Sequence, residues 1–288
     1  MAFDFSPERI AALAREDAAR ALAEDVGSGD LTAGLVDPSR RARARVIARE
    51  AAVVCGAPWV EAAVRQLDPD ARLEWLVPEG GRCAADDVVL RIEGSARGLL
   101  SAERTALNFL QLLSAVATKT AAHVDAVGAV PGSQASIVDT RKTLPGLRLA
   151  QKYAVRTGGG TNHRIGLHDA ILIKENHIAS AGGVSQALRA AAAVAARADF
   201  VEIEVETLAQ LREALDAGAK MVLLDNMDLA TLREAVRINA GRAVLEISGG
   251  VTLEALPALA ATGVHRISVG ALTKDVKAVD YSMRFDAL

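Results

Sequence analysis

The pattern of apolar and polar residues changes along the chain. Apolar residues at helical spacing follow Ser6-Pro7-Glu8, which predicts a first helix capped by the serine hydroxyl. Three stretches then alternate in polarity or are rich in β-formers: ARARVIA (42–48), RLEWLV (72–77) and VVLRIEG (88–94). They predict a small α/β domain built on an antiparallel sheet. A long helix is predicted next, from about Ala96 to Val127.

A regular alternation follows in the second half of the chain. Helical segments separate six short apolar runs: SIVDT (136–140), AILIK (170–174), FVEIEV (200–205), MVLLD (221–225), AVLEIS (243–248) and RISVG (266–270). Such alternation is typical of βαβ units with buried parallel strands. Because no GxGxxG motif follows the first strand, a closed or nearly closed α/β barrel is favoured over a doubly wound sheet. An eight-stranded barrel would need two more units than the sequence offers.

Composition limits the function classes. The 288 residues include 33 Lys plus Arg and 36 Asp plus Glu, a net charge of −3, so nothing global points to a nucleic acid or membrane partner. The chain has two cysteines without metal-ligand spacing, no pattern of a signal peptide, and no apolar run long enough to span a bilayer. We therefore expect a soluble, cytoplasmic protein in which any basic site is local and assembled by the fold.

The ends of the predicted strands carry the candidate chemistry, because barrel enzymes place their sites at the carboxyl ends of the strands. In chain order, these ends are Arg141 and Lys142, Lys174, Glu204, Asp225, Ser248-Gly249-Gly250 and Gly270-Ala271. If these residues were polar only because strand ends meet water, six successive strands would not be expected to end in charged or phosphate-binding groups. The two glycine-bearing ends, SGGV (248–251) and VGAL (269–272), suit phosphate binding by backbone N–H groups.

A glycine-rich loop lies between the first two barrel strands. RTGGGTNHRIGLHD (156–169) is too long for a plain turn and brings His163 and Arg164 to the barrel mouth. Four cations then converge there, Arg141, Lys142, Arg164 and Lys174, which is unfavourable unless a strongly anionic ligand compensates them. Two carboxylates, Glu204 and Asp225, suit Mg²⁺, ribose hydroxyls or a developing positive charge; pairing with the adjacent lysines is an open alternative.

Several motifs resemble quinolinate phosphoribosyltransferase, the decarboxylating nicotinate-nucleotide pyrophosphorylase family. They are EDVGSGDLT, ERTALNFLQLLSAVAT, DTRKTLPGLRLAQKYAVRTGGGTNHRIGLHDAILIKENHI, VEIEVET, LLDN, EISGG and RISVGALT. The resemblance implies an incomplete (β/α) barrel of about six to seven parallel strands with an N-terminal α/β sandwich domain. It places the sandwich at 1–114 and the barrel at 115–288, with the C-terminal tail packing back on the sandwich. The implied reaction joins PRPP and quinolinate, with Mg²⁺, to give nicotinate mononucleotide, pyrophosphate and CO₂.

The resemblance also implies roles for individual residues. Arg104, Thr140, Arg141, Lys142, His163 and Arg164 would bind the substrates, most of them through the quinolinate carboxylates. Lys174 would reach the pyrophosphate region, with Lys142, Lys174, Glu204 and Asp225 as the catalytic set. Glu204 and Asp225 would serve the ribose and the metal, and Ser248, Gly249, Gly250, Val269, Gly270 and Ala271 the ribose 5-phosphate. Thr157 stands where the family often has Cys. The implied assembly is a homodimer, or a higher even oligomer, whose active sites are shared between chains through Arg104.

Two other functions remain open at this level. Lys174 ends a barrel strand as the lysines of Schiff-base aldolases do, so a lyase is one alternative. The other is a non-catalytic paralogue that binds related anions. The surplus of phosphate-binding groups favours phosphoribosyl transfer over the lyase.

Overall fold

In the computed structural model, which describes residues 3–286, the chain forms two compact units. We call residues 4–119, 144–159 and 275–286 the sheet unit. Residues 120–143 and 160–274, with Phe3, form the barrel unit. No helix in the part of the chain that the structure describes is long and apolar enough to cross a membrane.

The sheet unit is built on an antiparallel sheet. Its strands are β1 (Arg41–Ala48), β3 (Arg72–Trp75), β5 (Val88–Ser95) and β12 (Tyr281–Phe285), in the order β12-β1-β5-β3. A second, two-stranded sheet pairs β2 (Ala52–Val53) with β4 (Arg82–Cys83). The helices are α1 (Pro7–Asp25), α2 (Ala57–Leu67), α4 (Arg148–Thr157) and the first part of α3 (Ala96–Gly128). The alternation of the sequence is the cause of this sheet, because every second residue of β1 is buried.

The start of α1 differs from the prediction in one detail. Ser6 occupies the N-cap position with an extended backbone, but its side chain caps no backbone N–H of the helix. Its hydroxyl instead donates to Asp4 Oδ2 at 2.8 Å. The prediction that the serine hydroxyl caps the helix is therefore wrong.

The barrel unit contains one six-stranded parallel sheet. Its strands are β6 (Ser136–Val138), β7 (Ile171–Ile173), β8 (Val201–Val205), β9 (Met221–Asp225), β10 (Val244–Ser248) and β11 (Arg266–Ser268). The order β6-β11-β10-β9-β8-β7 leaves β6 and β7 at the two edges. Thr161 adds an isolated parallel bridge to Val138 beyond β6. The prediction of an incomplete barrel of about six to seven strands is confirmed.

Short helices follow the barrel strands. They are α5 (Glu175–Ala181), α6 (Val184–Ala192), α7 (Leu208–Asp216), α8 (Leu229–Asn239), α9 (Leu256–Ala260) and α10 (Ala271–Lys274). Thr207 caps α7 by accepting from the Gln210 backbone N–H, and Asp228 caps α8 by accepting from that of Thr231. These caps fix where each helix leaves its strand, and so where the strand-end residues point.

The division between the units does not follow the predicted boundary between 114 and 115. That boundary falls inside α3, which contains no Gly or Pro from Leu99 to Val127 and continues unbroken to Gly128. The units divide after Lys119, and residues 144–159 group with the sheet unit. At the other end of the chain, β12 pairs with β1 through Ala44 and Phe285 to Ala48 and Tyr281.

Candidate functional site

The carboxyl ends of the barrel strands surround a cavity of about 170 Å³. Eight residues predicted from the sequence line it: Thr140, Arg141, Lys142, His163, Arg164, Lys174, Glu204 and Ser248. Four residues that were not predicted complete the lining: Leu172, Leu223, Glu246 and Ser268. Two larger hollows of about 490 Å³ lie on the sheet unit, but neither is at the end of a parallel sheet. Converging charge, rather than volume, identifies the site.

Strand register explains which side chains share the barrel interior. The Cα partners run across the sheet from Glu204 on β8 to Leu223, then to Glu246 on β10 and Arg266 on β11. Partners across a pleated sheet point to the same face. Side chains two positions apart on a strand also share a face, so Glu202 lies on the same face as Glu204, and Glu246 on the same face as Ser248. All four side chains therefore point into the barrel.

Two threonine hydroxyl groups hold the backbone of Lys142, in the segment after β6. The Lys142 N–H donates to Thr140 Oγ1 at 3.1 Å, and the Lys142 carbonyl accepts from Thr273 Oγ1 at 2.7 Å. Gly270 lies close to the side chain of Lys142: a Cβ atom added to this glycine would lie 3.0 Å from Lys142 Cδ. These contacts place the predicted phosphate-binding segment, Val269 to Ala271, beside Lys142, although its residues are not among those that line the cavity.

Two buried carboxylates anchor the glycine-rich loop. Asp139, directly after β6, accepts from the His163 N–H at 2.8 Å and from Asn162 Nδ2 at 2.7 Å. Asp169 accepts from the N–H groups of Ile165 and Gly166, both at 2.7 Å. Burial disfavours the charge of Asp169, but the backbone donors outweigh burial and lower its pKa. Buried carboxylates thus hold the backbone on both sides of Arg164.

Hydrogen bonds within the protein hold the ring of His163. Its Nδ1 accepts from the Arg164 N–H at 2.8 Å, so the ring proton is on Nε2, which lies 2.8 Å from Glu202 Oε2. Both ring nitrogens are therefore used within the protein. His163 nevertheless lines the cavity as predicted, and contact of its side chain with a substrate carboxylate stays a prediction.

An acid cluster, which we define as Glu202, Glu246, His163, Arg266 and Ser268, adjoins the cavity. Glu246, His163 and Ser268 line the cavity, whereas Glu202 and Arg266 do not. Arg266 Nε lies 2.6 Å from Glu246 Oε2, and Ser268 Oγ donates to Glu246 Oε1. Burial raises the pKa of Glu202 to about 7, against the opposing effect of Arg266 and Arg164. Burial, and then the charge of Glu202, also raise the pKa of Glu246.

The same cluster contains the one group of His, Cys, Asp or Glu side chains, three or more together, with metal-compatible spacing in residues 3–286. The ligand atoms of His163, Glu202 and Glu246 lie within 4.8 Å of one another. A metal here would need the lone pair of His163 Nε2, which carries the ring proton because Nδ1 is the acceptor of the Arg164 N–H. The hydrogen bonds thus favour an internal polar network over a metal site.

At the end of β7, Lys174 Nζ lies 3.2 Å from Glu204 Oε2. The pairing of a strand-end carboxylate with a lysine, which the sequence left open, is what the structure contains. Asp225 accepts from Asn226 Nδ2 at 2.7 Å and is not among the cavity-lining residues. Gly249 needs its left-handed φ of +103°, and an added Cβ would lie 2.1 Å from Asn226 Oδ1. Asp225 and the 248–250 segment are thus adjacent, as their register through Ser248 requires.

Arg104 belongs to the sheet unit. It lies on α3, and its side chain is exposed. Its participation in a site remains a prediction.

Comparison with known proteins matches both halves of the chain to a single family. The model of the quinolinate phosphoribosyl transferase C-terminal domain matches residues 116–284, and that of the N-terminal domain matches residues 30–114. The chain belongs to the quinolinate phosphoribosyltransferase family.

Individual family members are similar over most of their length. The nicotinate-nucleotide pyrophosphorylase (carboxylating) of Mycobacterium leprae is 42% identical over 280 residues, which cover 94% of this chain and 96% of that protein. Quinolinate phosphoribosyltransferase (decarboxylating) 1 of Nicotiana glauca is 39% identical, over 92% of this chain and 80% of its own. The solved nicotinate-nucleotide pyrophosphorylase of Francisella tularensis superposes with a TM-score of 0.91 at 42% identity, covering 96% of this chain and 97% of that chain.

For this quinolinate phosphoribosyltransferase family member, the sequence reasoning missed the acid cluster. Only the last residue of each strand was considered, so Glu202 and Glu246 were passed over as parts of apolar runs. A signal was present, because VEIEV and VLEIS each carry Glu at an alternate position. In a strand with a period of two, that residue shares the face of the strand-end residue.

Proposed function

We propose that this protein transfers the phosphoribosyl group of PRPP to quinolinate, with decarboxylation, to give nicotinate mononucleotide for NAD biosynthesis. Three basic residues, Arg141, Lys142 and Arg164, line one small cavity together with Lys174, in a chain whose net charge is −3. This convergence is the observation that carries the proposal, because it suits two substrates rich in phosphates and carboxylates. Membership of the family supports it.

Quinolinate carries two carboxylates, which we assign to the guanidinium groups of Arg141 and Arg164. Burial, together with the charge of Arg141, lowers the pKa of Arg164. A guanidinium group whose charge is disfavoured by burial and by a second guanidinium group gains the most from an anion bound between the two. Lys142 and Lys174 then remain for the pyrophosphate of PRPP, and the Val269–Ala271 and Ser248–Gly250 segments for the 5-phosphate.

The chemistry follows from where charge develops. Breaking the bond between ribose C1 and pyrophosphate builds positive charge on the ribose and negative charge on the leaving group. Lysine ammonium groups fixed beforehand around the leaving group stabilise that negative charge as it forms. Once ribosylated, the pyridine nitrogen is cationic. When the adjacent carboxylate leaves as CO₂, the electron pair of the broken C–C bond stays on the ring carbon, where the neighbouring positive nitrogen stabilises it until that carbon takes up a proton from solvent. The reaction requires no side-chain nucleophile.

Glu204 and Asp225 are the residues that we propose to hold Mg²⁺ alongside PRPP. Mg²⁺ is commonly bound by one or two carboxylates together with substrate phosphates, and these two carboxylates end adjacent strands, which fits such a donor set. Bound Mg²⁺ would offset part of the pyrophosphate charge. Because Glu204 pairs with Lys174 in this structure, PRPP and its metal would have to share or replace that ion pair.

A Schiff-base lyase is not favoured by the geometry. Lys174 Nζ lies 3.2 Å from Glu204 Oε2, and three further basic residues line the same cavity, an arrangement that suits an anionic ligand better than attack on a carbonyl group.

The direct test of the reaction uses purified protein with Mg²⁺, PRPP and quinolinate. Pyrophosphate and CO₂ should appear in equal amounts. Nicotinate, which lacks one carboxylate, should be a poor acceptor, because it leaves a buried cation unpaired. Equal turnover of nicotinate and quinolinate would show that the cation assignment is wrong.

We also propose that two chains share each active site, with Arg104 acting on the site of the partner chain. The support is the family resemblance of the ERTALNFLQLL segment and the exposure of Arg104 on α3. Arg104→Ala and Lys142→Ala proteins should each be inactive. Subunit exchange between them should restore up to about a quarter of wild-type activity, because random pairing gives heterodimers with one intact site. A mixture that stays inactive despite proven exchange would place Arg104 within its own chain.

The cytoplasmic location stays a prediction. Fractionation of cells that express the full-length chain, followed by immunoblotting, tests it.

A further inference from the structure

Glu202 is a fully buried carboxylate in the middle of β8. It does not line the cavity, yet its Oε2 lies 2.8 Å from Nε2 of His163, which does. Within residues 3–286, its other oxygen, Oε1, has no hydrogen-bond partner. A buried carboxylate with an unsatisfied oxygen is costly, and an apolar side chain of similar size would be expected to suit stability better. Its contact with His163 therefore calls for a functional reason.

The orientation of the His163 ring depends on that contact. With Nδ1 accepting from the Arg164 N–H at 2.8 Å, Nε2 carries the proton and needs an acceptor. Glu202 Oε2 provides it, and Glu246 Oε1 lies farther away at 3.6 Å. The edge of the ring packs against Phe200, with centroids 5.3 Å apart and an interplanar angle of 80°. A ring turned by 180° would exchange its donor and acceptor and lose both polar contacts.

The ring in turn holds the peptide of Arg164. The rest of the loop is anchored independently, since Asp139 holds the backbone of His163 and Asp169 holds those of Ile165 and Gly166. The N–H of Arg164 lies between these two anchors and donates to the ring. Its guanidinium lines the cavity and reaches the Ala170 carbonyl at 3.4 Å. Removing the acceptor of the ring should therefore loosen Arg164 while the flanking backbone stays anchored.

We propose that Glu202 is a positioning residue of the anion site, which fixes the tautomer and orientation of the His163 ring and, through that ring, the peptide and side chain of Arg164. The inference rests on the proposed function in one respect, the assignment of Arg164 to a substrate carboxylate. The effect of Glu202 on the ring itself is independent of any substrate.

The first experiment compares two substitutions that differ in one property. Glu202→Met removes the acceptor at similar volume, whereas Glu202→Gln keeps an oxygen that can accept from His163 Nε2. Glu202→Met should raise the KM for quinolinate about tenfold or more, because a charge-assisted contact is weakened, with a smaller change in kcat. Glu202→Gln should stay within about threefold of wild type. Equal effects of the two substitutions, or a fall in kcat at constant KM, would overturn the proposal.

A second measurement needs no substrate. The chain has five histidines, so ¹⁵N-labelled imidazole spectra can be assigned by single substitutions. The wild-type His163 ring should show the Nε2–H tautomer, and so should Glu202→Gln, whereas Glu202→Met should show a mixture or the other tautomer. An Nδ1–H ring in the wild-type protein would overturn the proposal even if Glu202→Met failed to fold.

A double-mutant cycle separates positioning from general destabilisation. If Glu202 acts through His163, adding Glu202→Met to His163→Phe should raise KM by less than about twofold further. Additive effects would contradict the proposal. Ile203→Val is the matched control, since Ile203 is fully buried on the same strand but its side chain points to the opposite face of the sheet from that of Glu202. This substitution should lower the midpoint of thermal unfolding and leave KM unchanged. Absence of turnover in the wild-type protein would refute the proposed function, while the tautomer measurement would still decide the role of Glu202.

Discussion

In the sheet unit, β1 exposes Arg41, Arg43 and Arg45 and buries Ala44 and Val46 between its neighbours. In the barrel unit, β8 has the same period of two but places Glu202 in the interior, with no exposed surface. The difference lies in what covers each face. A sheet with one solvated face puts its charges outside, whereas a barrel can gather them inside, above and below a ligand cavity. Alternation therefore indicates which residues share a face, and the architecture decides whether that face meets water.

The largest effect is expected when a charged residue is introduced on the buried face of β1, where, unlike on β8, no charged residue is present. Val46→Glu places a carboxylate between Leu90 and Met283, its register partners, with no acid cluster to receive it. We expect the free energy of unfolding to fall by about 3–5 kcal/mol. Urea denaturation measures the loss, with Arg41→Glu on the exposed face as the control. A stable Val46→Glu protein would show that this face also tolerates charge.

In the barrel unit, removing a charge should affect activity rather than stability. Lys142→Ala should reduce kcat/KM about a hundredfold or more, equivalent to about 3 kcal/mol, because the side chain stabilises the leaving group. The melting temperature should stay within about 2 °C of that of the wild type, since the exposed Lys142 side chain contributes little to packing. Lys220→Ala, at the opposite end of a barrel strand, is the matched control and should be fully active. A Lys142→Ala protein that is active but less stable would show that this residue serves stability rather than catalysis.

A buried acid that serves packing is found in the sheet unit. Asp17 on α1 accepts from Trp59 Nε1 at 2.9 Å, and burial raises its pKa, although Trp59 and Arg20 favour the carboxylate. The folded state therefore binds the proton more tightly than the unfolded chain, so this group's contribution to stability increases as the pH falls toward the ordinary value of 3.8. Asp17→Asn keeps an oxygen for Trp59 and should raise the free energy of unfolding by about 0.5–1 kcal/mol at pH 7. The gain should shrink as the pH falls; a constant gain from pH 7 to 4 would contradict the raised pKa.

The smallest effect is expected on the exposed face of the sheet unit. Arg43 pairs with Glu93 at 3.3 Å, with both side chains largely exposed. Arg43→Ala should change the free energy of unfolding by less than about 0.5 kcal/mol and leave activity unaltered. Chemical denaturation and the standard assay check both; a loss of activity would give this face a function.

The sequence predicted the strands and the strand-end cations because periodicity and chain order determine them. Arg141, Lys142 and Lys174 were found in this way and Arg164 from the glycine-rich loop, and the structure brings all four to one cavity. The acid cluster was missed because the interior of a barrel was treated as apolar. The grouping of residues 144–159 with the sheet unit was not predicted, because nothing in their sequence shows to which unit their short helix belongs.

The pairing order of the strands has a consequence for how the chain folds. β6 opens the barrel sequence but pairs with β11, the last barrel strand, and β1 pairs with β12 at the far end of the chain. Both sheets therefore close through contacts between residues that are far apart in sequence, which is typical of slow folding. During synthesis, β1 keeps an unpaired edge until residues 281–285 emerge, so the first unit to be made is also among the last to be completed.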